Sequence, residues 1–356
     1  MNSEPLPPTE RIYSSAPRAT SPSLHRAPYL DPQTGEWVLS RFADVQAAFL
    51  APGLCPIGAH AKDPVTAKVR DEQARFRAEA ISALTAAKLA LWESAFASQA
   101  RNIAAALPIW RAIEVVEEFA RPWSIAVAVQ VTGANGNDAQ HLARLAAQVS
   151  AATAKPDDPD LEAPAKAAGA ELDEMLKHGT IPMAGPAFVG LSQTLPCLLA
   201  NIWHALLQHP QQLERLHETP NLVPKALEEL LRFAGMVHVL HRQAIEDVEL
   251  DGMRIKAGQR LRLMLGVAHR DGEQFEAPEE LDTTRRLVRH FTFGSGPHSC
   301  AAAPLLRMAT TIATRSFVEH FTSVEHTVPV FLNGGEGFRW PAPLYVIRRE
   351  DPPRRT

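Results

Sequence analysis

Residues 291–307 read FTFGSGPHSCAAAPLLR, a stretch that forbids regular structure in its first half and invites a helix in its second. Gly294, Gly296 and Pro297 place three breakers within four positions, so the backbone there must loop tightly. After Cys300 the run AAAPLLRMATTIATRSF has a helical composition, with Pro304 tolerated in a first turn. Cys300 therefore stands where a glycine-rich loop runs into a helix N-terminus. Backbone N–H groups and the helix dipole at such a place stabilise a thiolate, which can serve as a nucleophile, a redox sulfur or a metal ligand. For one cysteine taken alone, a structural buried thiol is the alternative.

Composition narrows the field. With 356 residues and 46% hydrophobic content, the chain can bury a large core, as one big domain or two ordinary ones. A net charge of −4 and the lack of a basic stripe argue against a nucleic-acid partner. Cys55, Cys197 and Cys300 are an odd count without paired spacing, which fits a reducing cytoplasm better than a disulfide framework. Residues 1–28 are rich in Pro and Ser with no apolar core, so a flexible leader is expected and a signal peptide or membrane anchor is not. The stretch 179–213 lacks Asp, Glu, Lys and Arg, but its prolines, glutamines and histidines suit the buried centre of a globular fold rather than a membrane span.

The series Phe293-Gly294-x-Gly296-x-His298-x-Cys300, followed by Leu305 and Arg307, closely resembles the haem-binding loop of the cytochrome P450 family, the haem-thiolate monooxygenases. The resemblance implies that Cys300 ligates iron, Phe293 covers the thiolate, Gly294 lets the backbone approach the haem, and His298 bonds a propionate. Ala302 departs from the pattern, which has Gly there for close helix–haem packing. A zinc site built from His290, His298 and Cys300 lacks a second ligand pair at the right spacing.

Other segments extend the likeness from about Tyr29 to Arg348. Tyr29–Ser40 reads as a hairpin turning at Pro32-Gln33-Thr34-Gly35, and Arg41–Val45 opens a short helix. Residues 68–107 read as alanine-rich helix, and the family alignment puts Arg77 at a propionate-binding position, while Gln73 replaces the usual histidine. Trp110–Thr132 reads as one apolar helix closed by Gly133-Ala134-Asn135-Gly136, with Asn137 as N-cap of the next, which runs to Ala154. Residues 155–159 are a loop, 164–177 a helix, and His178-Gly179 then leads almost straight into the central helix. Family members carry additional chain at that point, so this is a shortened version with a different or more open roof over the substrate.

Residues 225–233, KALEELLRF, form an amphipathic helix with Leu227, Leu230 and Leu231 on one face. Glu229 and Arg232, three apart, read by themselves as a solvated ion pair. The resemblance makes them the family's ExxR element, completed by Arg285, with a structural role behind the haem. Arg242 aligns with a propionate-binding arginine, whose guanidinium fork suits a carboxylate. Asp251-Gly252 marks a hairpin turn. His238 and His241 read as pocket-wall or surface residues.

The central helix departs from the family. Counting back from His209-Pro210, the A/G-G-x-D/E-T motif falls on Gly190-Leu191-Ser192-Gln193-Thr194. Thr194 keeps the alcohol. Gln193 replaces the acid, and an amide cannot relay a proton as a carboxyl group does. Leu191 puts an isobutyl group where the family has a hydrogen, and Pro196 removes an N–H, which predicts a kink. A second register places Ala184–Phe188 at the motif, with neither acid nor alcohol.

The expected fold is mainly α: a single cytochrome P450-like domain with small β-sheets over 29–348, between the leader and a tail at 349–356. The implied cofactor is haem b, iron protoporphyrin IX. The implied activity is oxidation of a small-to-medium apolar substrate by O2, with two electrons from a separate ferredoxin or flavodoxin. Thr194 and Gln193 would serve oxygen chemistry, and Met236, Val237 and Leu191 would touch substrate. A haem-thiolate enzyme driven by peroxide, or acting as a lyase or isomerase, is the alternative. A haem-free partner protein is the third reading.

Overall fold

The computed structural model describes residues 27–57, 74–75, 77–154, 158–286, 288–323, 330–334 and 337–349. Gln73, the loop residues 155–157, most of the expected leader and nearly all of the tail lie outside them. The backbone divides into two compact units, one drawn from Met1–Arg75, Glu228–Cys300 and Glu336–Arg339, the other from Phe76–Leu227, Ala301–Gly335 and Trp340–Thr356. None of the described helices is long and apolar enough to cross a membrane.

The first unit is built on a five-stranded sheet ordered Tyr29–Leu30, Trp37–Leu39, Arg260–Leu263, Leu240–Ala244, Leu54–Cys55. The hairpin forms as its sequence predicts, with Gly35 at φ +69 and its N–H donating to the Asp31 carbonyl at 2.8 Å. Trp37–Leu39 runs parallel to Arg260–Leu263, whereas the remaining pairs are antiparallel. A second hairpin joins Val248–Leu250 to Met253–Ile255 through Asp251 (φ +46) and Gly252 (φ +82), the two left-handed residues that a tight hairpin turn demands. Leu39, Phe42, Phe49, Leu54, Leu261, Leu263, Phe275 and Phe291 form a continuous core beside the sheet. The helix Phe42–Leu50 is fastened to this unit because its first N–H donates to the buried carboxylate of Asp271 at 2.8 Å.

The second unit is helical around an aromatic stack. Trp203 lies parallel to Phe317 at 4.7 Å and to Phe119 at 5.6 Å, and Phe321 leans on both phenylalanines. Its small sheet sets Tyr345–Arg348 between Ala112–Glu114 and Phe321–Ser323.

Four boundaries differ from expectation. The alanine-rich segment is not one helix: 77–83 is helical, the helix ends at Leu84, and a new one, Ala86–Ala106, starts at Thr85, whose extended backbone and hydroxyl cap the Lys88 N–H. Trp110–Thr132 begins as strand rather than helix, because Ile113 alternates into the core opposite Val346. That segment then passes through a π-turn, Val116–Ala120, into the helix Arg121–Thr132. Asn135, not Asn137, supplies the capping side chain, accepting the Asn137 N–H at 3.0 Å. The helix expected from 164 starts at Pro159, since Asp158 accepts the Asp160 N–H and Pro159 fits a first turn.

Candidate functional site

Two glycines shape the cysteine loop of the first unit. Gly294 and Gly296 have φ of +68 and +67, the left-handed region where only glycine is unstrained. A Cβ on Gly296 would also sit 2.5 Å from the Phe49 carbonyl oxygen, so a larger residue cannot keep this path. The loop is closed by the Cys300 N–H donating to the Phe293 carbonyl at 2.7 Å and by the Gly294 N–H donating to the Phe291 carbonyl at 2.8 Å. Cys300 and His298 are exposed, and Phe293 lies edge-on to the His290 ring at 6.1 Å. The helix that follows starts at Ala303, three residues past the cysteine.

Phe49 links this loop to Arg242. Its backbone abuts Gly296, its ring packs on Phe291 at 5.3 Å, and the Arg242 guanidinium carbon stands 5.3 Å from the ring centroid. Arg242 is only 5% exposed, and the sole hydrogen bond of its side chain among the described residues runs from Nη1 to the neighbouring His241 carbonyl at 3.0 Å. No carboxylate neutralises it among the described residues. Burial lowers its pKa to about 10. A buried guanidinium with donors to spare is the feature an anionic ligand group would satisfy.

The Glu229–Arg232 pair is buried, not solvated: both side chains are 0% exposed. Arg232 donates to both Glu229 oxygens at 2.7 and 2.8 Å, and to the carbonyls of His269, Pro278 and Glu280 at 2.6, 2.9 and 3.2 Å. Glu229 also accepts the Asp282 N–H at 3.1 Å. Arg285 Nε lies 3.1 Å from Glu229 without the alignment of a hydrogen bond, while its other nitrogens hold the carbonyls of Glu276 and Ala277. The three residues thus pin the irregular chain from 269 to 285 to the end of the helix Val223–Phe233.

The roles of two histidines escaped the sequence reading. His269 is fully buried and its Nε2 accepts the Phe291 N–H at 2.7 Å, so one imidazole holds the entry to the cysteine loop. Accepting that bond requires neutral Nε2, and burial keeps the histidine pKa well below its ordinary value. His290, against Glu228 at 2.9 Å, borders the same segment. Nothing in their spacing marks either as buried. Met236 and Val237, proposed above to touch substrate, form a short extended run in which the Arg339 N–H donates to the Met236 carbonyl and Val237 bridges Phe338.

The remaining candidates belong to the second unit. Arg77 lies half-buried in the helical stretch 77–83. The central helix is broken into Ala184–Val189, a π-turn over Gly190–Thr194, and Leu195–Gln208. The Leu195 N–H bonds the Gly190 carbonyl, five residues back, and Pro196 follows at the second position of the next segment. The regular α pattern therefore gives way to a π-turn immediately before the proline. Leu191 and Ser192 are buried, and Gln193 donates from Nε2 to the Ala143 carbonyl and the Ser192 hydroxyl, both at 3.2 Å.

Residues 202–348 match the family model described as Cytochrome P450. Over 129 residues the chain is 42% identical to the cytochrome P450 CYP107DY1 of Priestia megaterium, covering 36% of this chain and 32% of that one. Over 138 residues it is 40% identical to the cytochrome P450 monooxygenase PikC of Streptomyces venezuelae, covering 38% and 33%. These matches span about a third of the length of the curated relatives. Among solved structures, CalO2 superposes with a TM-score of 0.79 at 20% identity over 97% of this chain and 96% of its own. P450BioI, solved with an acyl carrier protein bearing hexadec-9Z-enoic acid, gives 0.78 at 21% identity over 96% and 98%. Those likenesses carry the fold across nearly the whole chain.

Proposed function

We propose that the chain is a haem-thiolate monooxygenase of the bacterial cytochrome P450 type, acting on a small-to-medium apolar substrate, a reading supported by the match of residues 202–348 to that family's model and by the P450 relatives of the same region. The net reaction inserts one oxygen atom: substrate C–H, O2, two electrons and two protons give the alcohol and water. Haem b, with Cys300 as thiolate ligand, supplies oxygen activation, since thiolate electron density favours O–O cleavage.

The observation that carries this reading is Arg242. Its guanidinium is buried beside Phe49, which also packs on the cysteine loop, and it lacks a counter-charge among the described residues. A haem propionate is a carboxylate of the kind this donor fork requires. His298 and Arg77 are assigned to the propionates as well, Phe293 to shielding the thiolate, and Gly294 to the close approach of the backbone. Glu229, Arg232 and Arg285 have a structural task, holding the chain that leads into the loop. Thr194 is the alcohol that orders water for proton delivery, and Met236, Val237 and Leu191 contact substrate. The electrons come from a separate ferredoxin or flavodoxin in the cytoplasm.

A second reading has one observation in its favour. Gln193 stands where the family motif has an acid, and its amide cannot relay a proton as a carboxyl group does. A peroxide-driven oxygenase, or a lyase or isomerase, needs no such relay. Product formed from O2 with a surrogate ferredoxin and its reductase, against product formed with peroxide alone, separates the two. Turnover only with peroxide would replace the monooxygenase reading.

A further inference from the structure

Gln193 is not free to act where the family acid would. Its Nε2 already donates to the Ala143 carbonyl of the helix Ala139–Ala154 and to the Ser192 hydroxyl, which is fully buried. The residue lies inside the π-turn Gly190–Thr194, and its own carbonyl accepts the Cys197 thiol at 3.2 Å. One turn further, Asn201 Nδ2 donates to the Cys197 carbonyl at 2.9 Å. Pro196 can give an N–H to neither Leu191 nor Ser192. This part of the helix therefore has fewer backbone bonds than a regular one, and a π-turn is costly unless other contacts hold it.

From this geometry we infer that Gln193 is a positioning residue. Its amide fastens the π-turn to the helix Ala139–Ala154, and its identity as an amide matters because it must donate to a carbonyl. A carboxylate at 193 has no proton for the Ala143 oxygen and meets it with like charge. The substitution at the family's acid position is then an exchange of proton relay for a structural clamp, and Thr194 keeps its place through that clamp. The consequence for catalysis rests on the monooxygenase reading; the clamp itself does not.

Two variants test it, Gln193→Glu and Gln193→Ala. Both remove the donor, so hydrogen exchange of the amides of 190–195 and of 143–147 should quicken by about tenfold or more, the equivalent of one hydrogen bond. Gln193→Glu should be the worse of the two, and its product formed per O2 consumed should fall, not rise. If Gln193→Glu raises coupled turnover while exchange at 190–195 stays at the parent rate, position 193 is a relay site and the inference is overturned. Parental exchange in Gln193→Ala would overturn it as well. Exchange is read on the protein with or without haem, so a failure of the monooxygenase reading would show separately, as turnover only with peroxide or as absent haem binding, and leave this result interpretable.

Discussion

Replacing Arg232 by methionine removes a guanidinium that spans five hydrogen bonds in a fully buried site. Methionine fills much of the volume, so cavity formation is a minor part of the loss. Glu229, 0% exposed, keeps the Asp282 N–H and the nearby Arg285 but loses its paired cation. Leaving one partner of a buried pair uncompensated costs about 3–5 kcal/mol. The carbonyls of His269, Pro278 and Glu280 lose a donor each, at about 1 kcal/mol apiece. The sum, roughly 6 kcal/mol or more, is comparable with the whole stability of a domain. Urea unfolding of haem-free Arg232→Met, followed by circular dichroism, should show a protein largely unfolded before urea is added. The double variant Glu229→Gln/Arg232→Met removes the stranded charge and should recover about 2 kcal/mol relative to additivity. A single variant within about 1 kcal/mol of the parent, or a double variant as unstable as the two singles combined, would refute the reasoning.

Acidification gives a second test. Burial lowers the His238 pKa to about 4 and holds His269 well below its ordinary value. The unfolded chain binds those protons near pH 6.5 and the folded chain does not, so stability is present above pH 6.5 and lost as pH falls below it, at about 1.4 kcal/mol per pH unit per histidine. His238→Gln should flatten that slope by one such increment between pH 6.5 and 4, and an unchanged slope would contradict the burial argument. Gly296→Ala should abolish the haem-thiolate spectrum, because its Cβ meets the Phe49 carbonyl at 2.5 Å, whereas Gly294→Ala, whose nearest protein neighbour is Ser299 Cα at 3.5 Å, should cost the haem-free protein only the left-handed strain of about 1 kcal/mol. Arg242→Leu should act with opposite signs in two states. It should raise the urea midpoint of haem-free protein by removing a buried charge that no carboxylate among the described residues neutralises, yet speed haem transfer to a scavenging apoprotein by roughly 10- to 100-fold.

What could be read in the sequence was local chemistry. The glycines of the cysteine loop and the Asp251-Gly252 turn are written in residue types with few permitted backbones, and the structure places each as its type requires. The burial of Glu229 and Arg232 was not written in their spacing, since an i,i+3 pair looks the same on a wet face as in a dry core. His269 was illegible for the same reason: its partner, the Phe291 N–H, lies 22 residues away. Helix starts at Thr85 and Pro159 were displaced because a capping side chain, rather than composition, decides where a helix begins. The strand Ala112–Glu114 formed in an apolar run because a pairing partner more than two hundred residues later claims it. Gln193 read from the sequence as a missing acid, and only the Ala143 carbonyl shows what its amide donates to.

The most direct measurement is the absorption spectrum of the purified protein reduced under carbon monoxide, beside the Cys300→Ser variant. A Soret band displaced far to the red in the parent and absent from the variant is the predicted result, and it would establish thiolate ligation by Cys300. A band at the ordinary histidine-haem position in both proteins, or protein that takes up no haem at all, would contradict the haem-thiolate account.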